Sequence, residues 1–486
     1  MSGSSVGRNA AWLMAATALN KLIAFVTFAL VAKFVGPTVT GTYFFGVSVT
    51  SVFVIFSDLG MTPVVIRAIS GSREDGERLL GAAMRLKLLL IPVAVLGSLA
   101  YVVLTKQSDP AIIGTVAVAC AVMSADAVQL VLYGALRGRH NLRPESIGML
   151  IGQILTAIGS IVAAKFGYGA IGLATALFAG SAWNVVWATI QTRRFKIVLL
   201  APHRTDYRKL AIEALPFGIS GIAVKLYSYV DSLTIQAYQG STAVGMYAVA
   251  YKMTYALQFL PLTFTAALYP ALAKQWAEKK HEELKQTFLG SMRFMAVIAF
   301  PMSAGLSALA PRIIPLVYGQ KFEGAIAPFV VLPWVLLPIF LDFPVGSLLN
   351  ATHRAHLKTT AMVLTMIVNV AMNLYLVPIY GPVGAAWSGV VSFWALMLIG
   401  FIFSSKDTGW WPLLSILFRS SAAAGLSYVV WRIGDVYLPF IANAAFGAAI
   451  AVLLAFAFQL VTVDDAVRIL RMRKPEPQDE TVHADT

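Results

Sequence analysis

Apolar residues dominate this chain in windows of about 20 positions, separated by short charged joints. A helix of that length crosses the roughly 30 Å hydrocarbon core of a bilayer. The first series of windows falls at 11–34, 43–66, 84–104, 111–136, 146–164 and 170–190. After a polar joint the series resumes at 214–238, 244–271, 294–311, 324–349, 359–379 and 383–404, and two more windows follow at 412–431 and 438–461. The pattern predicts an all-α polytopic membrane protein of 14 transmembrane helices. Its expected parts are a six-helix bundle (1–190), a cytoplasmic linker (191–211), a second six-helix bundle (212–405), a helix pair (406–461) and a disordered cytoplasmic tail (462–486). Segment 273–292 reads as an interfacial amphipathic helix, with 203–214 as a second candidate.

The two bundles read as copies of one unit. Residues 21–43 and 225–247 align without a gap at a shift of 204, with 7 identities in 23 positions. Lys21 lies over Lys225, Gly36 over Gly240, Thr38 over Thr242, Gly41 over Gly245 and Tyr43 over Tyr247. Asp126 and His140 match Asp342 and His356 at a shift of 216, and Gly169 and Gly172 match Gly381 and Gly384 at 212. Because each copy has an even number of helices, both face the same way. The expected pseudo-twofold axis then stands along the membrane normal, with a cavity between the halves.

Composition and charge narrow the class. Hydrophobic residues make up 58% and charged residues 12%, against roughly half and a quarter in soluble domains. The net charge of +14 does not point to nucleic acid, because the cations are spread over short joints rather than one face. With the N-terminus inside, 27 of the 37 Lys and Arg fall in inside segments, so both termini are expected to be cytoplasmic. A single cysteine, Cys120, leaves no intramolecular disulfide or cysteine metal cluster. His140, His353 and His356 carry no metal spacing, so no metal site is expected.

The ordered motifs carry a resemblance. They are Gly36 and Gly41-x-Tyr43 followed by Asp58-Leu59-Gly60, then Gly240 and Gly245-x-Tyr247, then Tyr380-Gly381-Pro382-Val383-Gly384-Ala385-Ala386. Over residues 8–460 the chain resembles the Wzx-type lipid-linked oligosaccharide flippases of the multidrug/oligosaccharidyl-lipid/polysaccharide (MOP) exporter superfamily. The resemblance implies an inner-membrane protein moving an undecaprenyl-diphosphate-linked oligosaccharide from inner to outer leaflet. Polymerase and chain-length proteins of the same pathway are the implied partners. By likeness to the related lipid II flippases, the last two helices are expected to make a groove for the prenyl tail. No cofactor is expected, and coupling to a proton or sodium gradient rests on the intramembrane carboxylates.

Eight ionisable residues fall well inside the windows: Lys21, Asp58, Asp126, Lys225, Asp231, Lys252, Asp342 and Arg419. Charge at that depth is costly and is a functional candidate by default. For a diphosphate cargo, Lys21 and Lys225 are expected to face each other across the cavity and hold the anion, with Lys252 assisting. The plainer alternative is that each lysine neutralises a carboxylate such as Asp126 or Asp342. Arg419 is a further headgroup candidate, although its side chain could snorkel to the interface. Asp126 and Asp342 are candidates for gating or ion coupling, since Pro333, Pro338 and Pro344 interrupt the helix around Asp342. Asp231 is a third such candidate, about 240° round the helix from Lys225. Asp58 is expected to pair with Arg67.

Other functions find less support. There is no G-x-x-x-x-G-K-[ST] loop for ATP, and no catalytic constellation in an outside loop, so the chain does not read as an enzyme. A drug/cation antiporter of the same superfamily is the main alternative; central lysines favour an anionic cargo instead. A membrane-embedded polymerase or ligase would carry a larger outside loop than 312–323.

Overall fold

The computed structural model describes residues 3–197 and 207–461. The first half consists of α1 (Gly3–Phe53), α2 (Ile55–Asp58), α3 (Met61–Gly71), α4 (Arg73–Leu104), α5 (Pro110–Gly138), α6 (Arg143–Lys165) and α7 (Gly169–Arg194). The second half consists of α8 (Tyr207–Tyr255), α9 (Phe259–Ala277), α10 (His281–Ala308), α11 (Ala310–Tyr318), α12 (Ile326–Val331), α13 (Leu336–Ala351), α14 (Ala355–Tyr380) and α15 (Pro382–Thr408). Two last helices, α16 (Trp410–Tyr437) and α17 (Phe440–Ala457), complete the described chain. Among the described residues, 12 apolar segments are long enough to span a membrane. Two of them, Ala16–Asp58 and Leu210–Ala277, run to 43 and 68 residues. At about 1.5 Å per residue the first is about twice and the second more than three times the length one crossing needs, and each turns once, at Gly36 and at Gly240. Each therefore holds two crossings, which gives the expected 14 in a multi-pass membrane protein.

Glycine makes both folds in the chain. Gly36 (φ 80°, ψ 176°) and Gly240 (φ 76°, ψ −176°) break α1 and α8 in the same way. That left-handed, extended conformation is cheap for glycine and strained for a side-chain-bearing residue. The repeat seen in the sequence is therefore repeated in backbone geometry at residues 204 positions apart.

The halves meet along α1 and α8, the most extensive helix contact in the molecule. Thr38 Oγ1 lies 2.8 Å from Thr242 Oγ1. A residue can bond its own repeat mate only where both approach the pseudo-twofold axis, so this pair marks the axis. One turn on, a Cβ on Gly41 would lie 1.7 Å from the Ser241 carbonyl oxygen, and one on Gly245 1.9 Å from that of Pro37. Backbone meets backbone here because neither position has a side chain. A second close approach seals the opposite end, where Gly60 at the α2–α3 break faces Ala214 and Gly218. There Arg67 pairs with Glu213 at 2.5 Å.

One apolar core gathers Met61, Val65, Leu80, Leu132 and Leu136 of the first half with Leu210 and Ala214 of α8, and a larger one around Phe288, Phe322, Phe329 and Phe340 runs across the seam to Phe44, Phe45 and Val49. The final helix pair docks through α16 against α10, with Trp431 over Gly305 and Gly447. Two expectations about the joints change. Segment 273–292 is not one interfacial helix: α9 ends at Ala277 and α10 begins at His281, across a turn in which Lys279 is left-handed. Residues 207–214 open α8, while 198–206 and the tail 462–486 lie outside the described residues.

Candidate functional site

Three cations converge between the halves. Lys21 comes from α1, and Lys225 and Lys252 from the two arms of α8. All three charges act on the phenol of Tyr229, and Lys21 acts on Lys252. Lys225 Nζ sits 5.5 Å from the centre of the Tyr229 ring. Lys252 Nζ sits 5.5 Å from the Phe44 ring and 5.7 Å from that of Phe28. Among the described residues none of the three lysines is ion-paired with a carboxylate. Cation–π contact contributes only about 0.5–2 kcal/mol each. Lys21 and Lys252 are exposed and Lys225 half-buried, so the ammonium groups are open to an anion.

Asp58 and Asp342, two of the carboxylates that could have neutralised the lysines, are engaged elsewhere. Asp342 pairs with Lys358 at 2.5 Å. Asp58 does not pair with Arg67: Lys87 Nζ donates to Asp58 at 2.6 Å and to the Ala127 carbonyl at 2.9 Å. Arg67 turns instead to Glu213 on α8. The reason is distance along the helix break: Leu59 (φ 45°) and Gly60 (φ 80°) redirect the chain between Asp58 and Arg67, aiming the carboxylate at α4. Lys87 is fully buried. The sequence hid it because it lies four positions into the 84–104 window, where it counts with the inside cations.

Asp126 accepts a 2.6 Å hydrogen bond from Gln129 and feels the charge of Lys225 without an ion-pair contact. Both line a cavity of about 590 Å³ in the first half, with Asn20, Gln153, Ser181 and Asn184. Asp342 and Lys358 line a second cavity of about 360 Å³ in the other half. Asp231 faces away from the lysines and is buried. Tyr247 donates to it at 2.5 Å and Asn373 Nδ2 at 2.7 Å, with no cation in contact among the described residues. Arg419 does not join the lysine cluster. It donates to the Phe458 carbonyl at 3.5 Å and Gln459 Oε1 at 3.2 Å, where a cation complements the C-terminal end of α17. Sequence reasoning missed one aromatic feature altogether: Tyr247, Tyr251 and Tyr255 recur every fourth residue on one face of α8, spacing that was visible in the chain.

Two parallel six-helix repeats closing on a central axis define the MOP exporter fold. The family described as Polysaccharide biosynthesis protein matches residues 6–276, more than half of the chain, and the MatE family matches 216–375. The chain belongs to the polysaccharide biosynthesis protein family, the Wzx-type branch that its glycine and tyrosine motifs resemble. It is 22% identical over 391 residues to a probable low-salt glycan biosynthesis flippase, Agl15, of Haloferax volcanii, covering 80% of this chain and 81% of that one. It is 28% identical over 150 residues to the lipopolysaccharide biosynthesis protein WzxC of Escherichia coli K12, 30% of each chain. A solved structure of the lipid II flippase MurJ in an inward closed conformation has the same fold. Its TM-score is 0.72 at 14% identity, over 94% of this chain and 99% of that one.

Proposed function

We propose that this protein flips a polyprenyl-diphosphate-linked oligosaccharide between leaflets for surface polysaccharide synthesis, by alternating access of its two halves. The observation that carries this reading is the group of three unpaired lysines around Tyr229, at the interface the halves share. A diphosphate brings about two negative charges and several acceptor oxygens, and charge-assisted hydrogen bonds from ammonium groups would replace its lost water. Relatives named as flippases support the same reading. The protein acts as a transporter rather than an enzyme, with cargo entering from the inner leaflet of the cell (inner) membrane and both termini cytoplasmic. The carrier is undecaprenol in a bacterial setting, and the polymerase and chain-length proteins of the pathway receive the product. Coupling to a proton or sodium gradient falls to Asp231, a buried carboxylate met by neutral donors, with Asp126 as the second candidate.

The test uses cells lacking the gene, with and without a plasmid copy. Lipid-linked sugars are extracted and weighed by mass spectrometry while surface polysaccharide is assayed. The expected result is carrier-linked oligosaccharide building up as surface polymer disappears, corrected by the wild-type plasmid and by Lys225→Arg but not by Lys225→Ala. The MatE match over residues 216–375 favours a drug/cation antiporter as the second reading. Unchanged lipid-linked sugars with new sensitivity to cationic drugs would establish that instead.

A further inference from the structure

The geometry points to a sugar-ring subsite in the 360 Å³ cavity of the second half, walled by Tyr251, Tyr255 and Phe393. This rests on the flippase reading and adds to it where the glycan goes. The cavity adjoins the lysine cluster through an unbroken run of rings. Phe44, which carries Lys252, lies 5.7 Å from Tyr251. Tyr251 stacks on Tyr255 with centroids 4.3 Å apart. Tyr255 lies 6.0 Å from Phe393. A diphosphate held by the lysines would therefore put its first sugar against this wall.

The chemistry of the lining suits a pyranose. Such a ring has an apolar C–H face that packs flat on an aromatic surface, and a rim of hydroxyls that both donate and accept. Gln258, Asn350 and the Asp342–Lys358 pair border the same space, giving donors and acceptors to that rim. The first-half cavity is larger but offers no comparable wall. Tyr133 is the aromatic residue in its lining, and its hydroxyl is tied to Asn184 at 2.7 Å. An organic cation would also pack on aromatic faces, but three lysines stand at the approach to oppose it.

The experiment measures binding to the full-length protein in lipid nanodiscs with two synthetic probes, undecaprenyl diphosphate and undecaprenyl-diphosphoryl glucose. The wild type is expected to prefer the glucosylated probe about tenfold, the scale of one good aromatic contact. Tyr255→Ala should bring the ratio of affinities close to one, and Tyr255→Phe, which keeps the ring, should restore it. Phe393→Ala gives an independent arm should Tyr255→Ala unfold, as judged by its melting curve. Equal binding of the two probes by the wild type, or a preference kept in both alanine variants, would overturn the subsite. Failure of the flippase reading looks different: neither probe binds, or Lys225→Ala weakens neither.

Discussion

The two halves share a backbone plan yet treat their equivalent carboxylates in opposite ways. Asp342 is neutralised by Lys358 in an aromatic-walled cavity. Asp126 has Gln129, Ser181 and the charge of Lys225 without an ion-pair contact, in a cavity rich in amides and hydroxyls. The position equivalent to Lys358 in the first half is Leu142. On one repeated scaffold, one side is polar with an acid that lacks an ion-pair contact and the other aromatic with its acid paired. On this account the lysines between them hold the part of the cargo that every lipid-linked sugar shares, and the unlike cavities deal with what differs.

The largest effect is expected where the halves touch. In Gly41→Val the new side chain overlaps the Ser241 backbone, which cannot move without shifting α8. Transport should be lost, and unchanged transport would break the claim that this seam closes. Lys87→Met should cost about 3–5 kcal/mol, because it removes the ion-pair partner of the largely buried Asp58 and leaves it with the Thr62 hydroxyl. Adding Asp58→Leu should recover most of that loss in the melting curve. The repeat-equivalent acids then sharpen the comparison directly. Asp342→Asn leaves Lys358 unpaired and should destabilise by about 2–3 kcal/mol, whereas Asp126→Asn, which keeps a hydrogen-bonding group beside Gln129, should cost under about 1 kcal/mol. Equal losses would mean the two sites are not electrostatically different. Arg419→Ala is the smallest change, about 0.5–1 kcal/mol from the end of α17, with transport unaltered.

Much of this architecture was legible in the chain. Hydropathy gave the helix count because lipid admits few alternatives. The 204-residue shift also located the Gly36 and Gly240 breaks and the two equivalent lysines. What could not be read was partner choice. Asp58 meets Lys87 29 positions away because the left-handed turn at Leu59-Gly60 redirects it, and Arg67 meets Glu213 146 positions away across the seam. Depth misled as well: Arg419 has a window position like that of the lysines, but packing on α17 takes its side chain to a helix end. A one-dimensional pattern fixes how deep a residue sits, while the direction it faces depends on neighbours brought in by the fold.

The central claim is that unpaired lysines hold the diphosphate, and binding of sugar-free undecaprenyl diphosphate to the protein in nanodiscs tests it most directly. The account predicts that Lys21→Ala, Lys225→Ala and Lys252→Ala each weaken binding about tenfold to a hundredfold, as loss of a charge-assisted hydrogen bond implies, with Lys225→Arg near wild type. Affinity unchanged in all three alanine variants would contradict it.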